Sequence, residues 1–163
     1  MGITQKAFEI TLQQLQIPYI PNDSTIDWRP NRYELEDPLD KTTKFSYDFY
    51  IPFLGKIDVK SATLKKPYVN INCREFNREN PDFVVAYQIL NLNKPKWLKL
   101  VGFLRNSEVR EYDTRRKGTW REYWPIPVED IEAKHNGKEL CLRLLLAKAI
   151  LKELERRAPH ELT

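Results

Sequence analysis

The stretch FSYDFYIPFLGKIDVKSA, residues 45–62, predicts a β-hairpin around which the rest of the fold is organised. In its first half, aromatic and aliphatic residues alternate with polar ones, as in a strand with one buried face. In its second half, Asp58 and Lys60 are two residues apart, and side chains at that spacing point to the same side of a strand. Asp48 lies on the polar side of the first strand, so we expect it to face the same side as Asp58.

Two carboxylates and an amine in this arrangement suit a hard divalent cation. Mg2+ prefers oxygen ligands, and one or two carboxylates satisfy it together with water and a substrate phosphate. A metal held in this way activates water and stabilises negative charge, which are the two requirements of phosphodiester hydrolysis. The competing interpretation is a solvated hairpin face on which Asp48, Asp58 and Lys60 are paired across strands.

Length and composition indicate one domain over residues 1–163. The chain is 41% hydrophobic and 31% charged, which is typical of a globular protein with a real core. It contains neither an apolar run of membrane-spanning length nor the features of a signal peptide, so we expect the cytoplasm and no membrane partner. Two Cys and two His without metal-site spacing argue against zinc and iron–sulfur sites. A Gly-rich phosphate loop and a nucleophile motif are also missing from the sequence.

The segments around the hairpin predict an α/β fold. A first helix is expected from an N-cap at Thr4 to a point before Pro18, with Glu9 beside its buried stripe. Residues 18–44 have the composition of a long loop. Further strands are expected at 68–71, 82–90 and 97–104, with a short helix or turn over 73–80. The result is a sheet of about five strands with helices on both faces.

Residues 106–163 form a basic, aromatic and helical extension of this domain. A helix is predicted over residues 138–157, and its centre, LCLRLLLAKAIL, is apolar nearly all round. Such a helix is either deeply buried or paired with another subunit.

With Glu9 on an opening helix, Asp48 on one strand and Asp58, Val59 and Lys60 on the next, the chain resembles the PD-(D/E)xK nuclease superfamily over roughly residues 3–105. The resemblance depends on the order and setting of these residues, because Asp-x-Lys alone is common. It implies a restriction-endonuclease-like fold with a central mixed sheet of about five strands. It also implies that Asp48 and Asp58 bind Mg2+, or Mn2+ in its place, that Glu9 is an additional ligand and that Val59 contributes its carbonyl.

The resemblance further implies that Lys60 handles the attacking water and stabilises charge. A general-base role and a purely electrostatic role both remain open for this lysine. The Pro81–Asp82 pair follows Lys60, which is the wrong order for the motif, so we interpret it as the start of a strand. The Gln-containing motif of RecB-like nucleases is missing, and only Lys6 precedes Glu9 where archaeal junction resolvases usually carry arginines.

A basic segment follows the predicted sheet. Residues 94–121 contain nine Lys and Arg against three Asp and Glu, a local excess larger than the net +4 of the whole chain. Aromatic residues interleave with these cations, which suits phosphate contact and base stacking, although core packing is the more common role of such aromatics. We expect Arg115, Arg116 and Lys117 to face DNA, and Lys65 and Lys66 to meet a backbone phosphate.

These observations predict a Mg2+-dependent endodeoxyribonuclease of a restriction, intron-homing or recombination type. Cutting both strands usually requires two active sites, so a homodimer or higher oligomer is expected, with the apolar C-terminal helix as its interface. The alternative is a non-catalytic nucleic-acid-binding or assembly subunit on the same fold. An RNA-directed hydrolase is a third hypothesis.

Overall fold

Residues 2–21, 48–91 and 97–161 are described by a computed structural model of the chain. The helices and strands follow one another in the order α1 (Ile3–Gln14), β1 (Ile20–Pro21), β2 (Phe49–Ile51), β3 (Gly55–Thr63), β4 (Tyr68–Asn72), α2 (Cys73–Glu79), β5 (Phe83–Asn91), β6 (Trp97–Arg105), α3 (Asn106–Val109), β7 (Tyr123–Pro127), α4 (Val128–Lys134) and α5 (Gly137–Glu161). Most of the loop predicted over 18–44, and the first residues of the predicted hairpin, lie outside the described residues.

A mixed five-stranded sheet forms the centre of the protein, in the order β1-β2-β3-β5-β6. Strands β2 and β3 are antiparallel, β5 runs parallel to β3, and β6 is antiparallel to β5. The predicted α/β class and the mixed sheet flanked by helices are therefore confirmed. The first helix is capped by Gly2 instead of Thr4, which is buried inside its first turn.

The predicted third strand forms as β4 but does not join this sheet. It pairs instead with β7, a strand that the sequence did not predict, in a separate two-stranded ribbon. Since β3 and β5 are parallel, the chain between them must cross over the sheet, and β4 and α2 make that crossover. The fifth place in the sheet is taken by the short β1. Two prolines, Pro125 and Pro127, hid β7 from the sequence pattern.

Each face of the sheet is covered by its own hydrophobic cluster. On one face, Phe8 and Leu12 of α1 and Leu140 and Leu144 of α5 pack against Val85 and other strand residues. On the opposite face, the ribbon and helices α2 to α4 pack against the sheet. The segment 106–161 thus contributes side chains to both clusters. None of the helices in the described ranges is both long and apolar enough to cross a membrane.

The β2–β3 turn is closed by a clasp between Gly55, Lys56 and Asp82. The Asp82 carboxylate accepts a hydrogen bond from the Lys56 N–H at 2.8 Å, and the Asp82 N–H donates to the Lys56 carbonyl at 2.9 Å. Gly55 has a φ of 108°, and a Cβ at this position would overlap the Asp82 carboxylate. A glycine is therefore required both by the backbone conformation and by the close approach of Asp82.

Gly55→Ala is expected to lower the free energy of unfolding on the order of 1–3 kcal/mol, because it combines strain at positive φ with the overlap. Gly118→Ala is the matched control, since Gly118 also has a positive φ of 77° but no described atom lies within 4 Å of the point that its added methyl group would occupy. Urea unfolding of both variants measures the difference. Equal losses would contradict a structural role for the Asp82 clasp.

Candidate active site

Asp48 lies immediately before β2, where the pairing of β2 with β3 ends. Its N–H donates to the Ile57 carbonyl at 2.9 Å, and its Oδ2 accepts from the Val59 N–H at 2.7 Å. The Asp48 carboxylate thus accepts a hydrogen bond from the Val59 N–H. If β2 began earlier in the chain, a backbone carbonyl of β2 would accept this bond. This contact involves the N–H of Val59, whereas the resemblance implies a role for its carbonyl, which stays a prediction.

Helix α1 places Gln5 in contact with the Asp48 carboxylate. The Gln5 Nε2 donates to Asp48 Oδ1 at 2.7 Å, and the Gly2 N–H donates to Gln5 Oε1 at 2.8 Å, which fixes the orientation of the amide. Glu9 lies one turn further along, with its Oε1 3.4 Å from Lys6 Nζ. Gln5 is therefore the α1 residue seen to contact Asp48, and a ligand role for Glu9 stays a prediction.

Asp58 and Lys60 share the face of β3 that packs towards α2 and the ribbon. The Lys60 Nζ lies 3.2 Å from Asp58 Oδ2, and the Asp58 side chain is only 8% exposed. Asp48 also hydrogen bonds to Asp58, so the hairpin brings the two carboxyl groups and the amine together. The sequence-based placement of these three side chains on one side agrees with this geometry.

Burial and the neighbouring Asp58 carboxyl group change the pKa of Asp48. Burial, reinforced by the charge and the hydrogen bond of Asp58, raises the pKa of Asp48 to about 8. Burial alone would lower the pKa of Lys60, but the negative charges of Asp58, Glu79 and Asp48 outweigh it and raise that pKa. Lys60 is therefore an ammonium group in this arrangement.

Glu79 is a site residue that sequence reasoning missed. It ends α2 and interacts electrostatically with Asp58 and Lys60, and burial followed by the charge of Asp58 raises its pKa to about 7. Within its own stretch Glu79 resembles any polar residue of a short helix. Only the crossover between the parallel strands β3 and β5 carries it to the hairpin, so no local pattern pointed to it.

The acidic cluster, which consists of Asp48, Asp58 and Glu79, provides some of the oxygen ligands that a metal ion requires. Among the residues described, no group of three or more His, Cys, Asp or Glu is placed to hold one. Asp48 and Asp58 nevertheless offer adjacent buried oxygens, and two carboxylates are what Mg2+ or Mn2+ takes from a protein when water and phosphate complete its shell. The two residues therefore fit a hard cation whose remaining ligands come from outside the chain.

In the absence of metal, the free energy of unfolding is expected to fall as the pH rises from about 4 to 8. An unfolded chain releases the Asp48 proton near pH 3.8, whereas the folded state holds it until about pH 8, so the folded state binds more protons in that window. Glu79 acts in the same direction between 4.5 and about 7. Each pKa unit corresponds to about 1.4 kcal/mol.

Urea unfolding in chelator at a series of pH values measures this slope. Asp48→Asn should flatten it across the window, and Glu79→Gln should flatten only the part below about pH 7. A slope that is unchanged in both variants would contradict the buried acidic cluster.

The predicted DNA-facing residues lie in an exposed, internally bonded loop. Arg115 pairs with Tyr123 through two backbone hydrogen bonds of 2.8 and 3.2 Å, and the Thr119 Oγ1 donates to the Arg116 carbonyl at 2.7 Å. Trp120 is 66% exposed, and the Arg121 guanidinium lies 4.6 Å from its ring centre. Exposed members of the loop and its flank are Arg115, Arg116, Lys117, Gly118, Thr119, Trp120 and Arg121.

This loop contacts the start of α2, the helix that ends at Glu79. The Cys73 N–H donates to the Glu122 carbonyl at 2.9 Å, and Asn72 Nδ2 donates to the Trp120 carbonyl at 3.4 Å. A helix of seven residues spans about 10 Å, so the loop and the acidic cluster are separated by roughly that length. Lys65 and Lys66 are exposed in the turn after β3, beyond the far end of that strand.

Fold and site together define an α/β protein in which the β2–β3 hairpin of a mixed sheet holds the Asp48 and Asp58 carboxyl groups beside the Lys60 amine. No protein-family model matches the chain, and neither the curated proteins nor the solved structures contain a significant match.

Proposed function

We propose that this protein is a Mg2+-dependent endodeoxyribonuclease with a restriction-endonuclease-like fold. The observation that carries the proposal is the pair of carboxyl groups formed by the half-buried Asp48 and the buried Asp58, with the Lys60 ammonium 3.2 Å from Asp58. Two buried carboxyl groups in contact are costly unless a proton or a cation lies between them. Asp58 is 6% exposed, which does not suit the competing interpretation of a solvated hairpin face.

Each residue of the cluster has a distinct role in this proposal. Asp48 and Asp58 would hold the metal, which would supply Lewis acidity for phosphodiester hydrolysis. Lys60 stabilises the negative charge that develops on the phosphate oxygens, since its neighbours keep it protonated. Gln5 orients Asp48, because its amide is fixed on one side by Gly2 and bonds the carboxylate on the other.

Exposed cations around the cluster suit a DNA backbone. The loop that contains Arg115–Lys117 contacts, through Trp120 and Glu122, the start of the helix α2 that ends at Glu79. Lys65 and Lys66 extend the positive surface beyond the end of β3. Trp120 offers an exposed ring for stacking on an unpaired base.

Replacing both Arg115 and Arg116 with Gln is expected to weaken DNA binding and to reduce the slope of log affinity against log salt by up to about 1.8, because each lost phosphate contact removes about 0.9. Lys138→Gln with Lys152→Gln is the control, since it removes the same charge from exposed positions on α5. Fluorescence anisotropy at several salt concentrations measures both. Unchanged affinity at every salt concentration would contradict this placement of the DNA surface.

Purified protein incubated with supercoiled plasmid, linear duplex, single strand and four-way junction, each with Mg2+ or chelator, tests the activity. Metal-dependent cleavage of at least one DNA substrate is the expected result, and product mapping then distinguishes restriction, homing and recombination types. Matched RNA substrates test the RNA-directed hypothesis.

The absence of a third placed acidic ligand within the described residues favours the alternative of a non-catalytic nucleic-acid-binding or assembly subunit. DNA binding without cleavage of any substrate, in Mg2+ or Mn2+, is the outcome that selects it.

A further inference from the structure

Helix α5 has a buried face and an exposed apolar ridge. Leu140, Leu144 and Ala147 are buried against the domain. The ridge recurs every four residues on the other side and consists of Leu142, Leu146, Ile150 and Leu154, which are 67%, 62%, 39% and 47% exposed. A contiguous row of large exposed apolar side chains of this kind marks an interaction surface.

The ridge is symmetric about residue 148. If a second α5 lies antiparallel across a two-fold axis at that position, Leu142 faces Leu154 of the second copy and Leu146 faces its Ile150. A two-fold interface requires a surface that is complementary to itself, and this spacing meets the requirement. A register shifted by one residue in either direction would place a glutamate, Glu153 or Glu155, opposite Leu142.

Charges beside the ridge obey the same symmetry. Glu139 and Arg143 are paired at 3.5 Å near one end of the helix, and Glu153 and Arg157 at 3.1 Å near the other. In the antiparallel register, Glu139 lies level with Arg157 of the second copy and Arg143 lies level with its Glu153, while within its own chain the Arg143 guanidinium lies 5.4 Å from the Phe103 ring centre. Two parallel helices in register would instead bring like charges together, which disfavours that arrangement.

A groove continues the ridge onto the sheet. It has a volume of about 810 Å3, and its walls include Leu100, Val101, Cys141 and Leu142, with Glu132 and Lys138 at its rim. Leu142 belongs to both features. In the antiparallel register, Leu154 of the second copy approaches Leu142 and therefore this groove.

We propose that the ridge binds a second copy of this chain, forming a two-fold dimer in which the two α5 helices cross antiparallel with residue 148 opposite itself. The inference does not depend on the proposed nuclease function. The dimer would, however, supply two acidic clusters to one assembly.

Cysteine cross-linking tests the register. In a Cys141→Ser background, Leu142→Cys and Leu154→Cys are made as separate proteins and oxidised alone and as a mixture. Residues 142 and 154 are about 18 Å apart along one helix, too far for a bond within a chain. A disulfide-linked species that forms rapidly in the mixture and only slowly in either protein alone is expected. Cross-linking at equal rates in all three samples would overturn the antiparallel register.

Two double variants that place charged residues on the ridge test the dimer without cross-links. Leu146→Glu with Ile150→Lys places opposite charges together in the antiparallel register, whereas Leu146→Glu with Ile150→Glu places like charges together. Sedimentation equilibrium should show a dimer for the native chain, a weaker dimer for the first variant and a monomer for the second, while circular dichroism reports that both are folded. A monomeric native chain at all concentrations, including one whose ridge is covered by another segment of the same chain, overturns the proposal.

Discussion

Asp58→Asn is expected to lower the rate of Mg2+-dependent DNA cleavage at least about 10²–10³-fold, the loss that follows removal of one preorganised electrostatic group at a reaction centre. Asp58 contacts both Asp48 and Lys60, so its removal breaks the carboxyl pair and releases the ammonium at the same time. The isosteric amide keeps the volume of a side chain that is 8% exposed. Single-turnover cleavage with saturating enzyme measures the change in the chemical step.

DNA affinity in chelator is expected to stay close to that of the native chain, because the exposed cations that meet phosphate are untouched. Asp82→Asn is the matched control, since Asp82 is an acidic residue of the same hairpin region whose carboxylate bonds the Lys56 N–H outside the cluster. Thermal unfolding separates loss of fold from loss of function. Full cleavage by Asp58→Asn would remove the basis of the nuclease proposal, as would an equal loss in Asp82→Asn at unchanged stability.

Lys60→Ala is expected to reduce the cleavage rate by about 10²–10³-fold while changing DNA affinity little. Three acidic groups, Asp58, Glu79 and Asp48, hold this side chain in its protonated form, which supports an electrostatic role over that of a general base. The loss should therefore appear in the maximal rate and not in binding.

Lys60→Arg distinguishes the two roles of the lysine. An arginine keeps the positive charge but does not release its proton in proteins, so it restores part of the rate if the charge matters and none if a base is needed. Rates of the Ala and Arg variants measured over a range of pH give the answer. An Arg variant as slow as the Ala variant would contradict the electrostatic assignment.

Local sequence patterns were sufficient to predict the hairpin and most of the helices and strands around it. Alternation of polar and apolar residues defines β2 and β3, and the two-residue spacing of Asp58 and Lys60 places them on one face whatever the rest of the chain does. Runs rich in aromatic and aliphatic residues gave β5 and β6, and continuous apolar stretches such as residues 83–86 gave a sheet covered on both faces. In the structure, one face of α5 is buried and another is exposed, and its pairing with another subunit stays a prediction.

Other features depend on contacts between distant segments. β4 leaves the main sheet because the parallel pairing of β3 and β5 makes it part of a crossover, and β7 forms because β4 then needs a partner. Gln5 reaches Asp48 across 43 residues of chain, and Glu79 reaches Lys60 only through the crossover. Neither residue lies in a stretch with a distinctive pattern of its own.

The sequence by itself determined the α/β class, the hairpin and the side of the strand on which Asp58 and Lys60 lie, because these follow from the two-residue period of an extended chain. Only the tertiary structure decided which strand completes the sheet, that Gln5 and Glu79 adjoin the carboxyl pair, and that the ridge of α5 remains exposed. These outcomes depend on contacts between segments that are far apart in the chain, and such contacts leave no periodic pattern in the sequence of either segment.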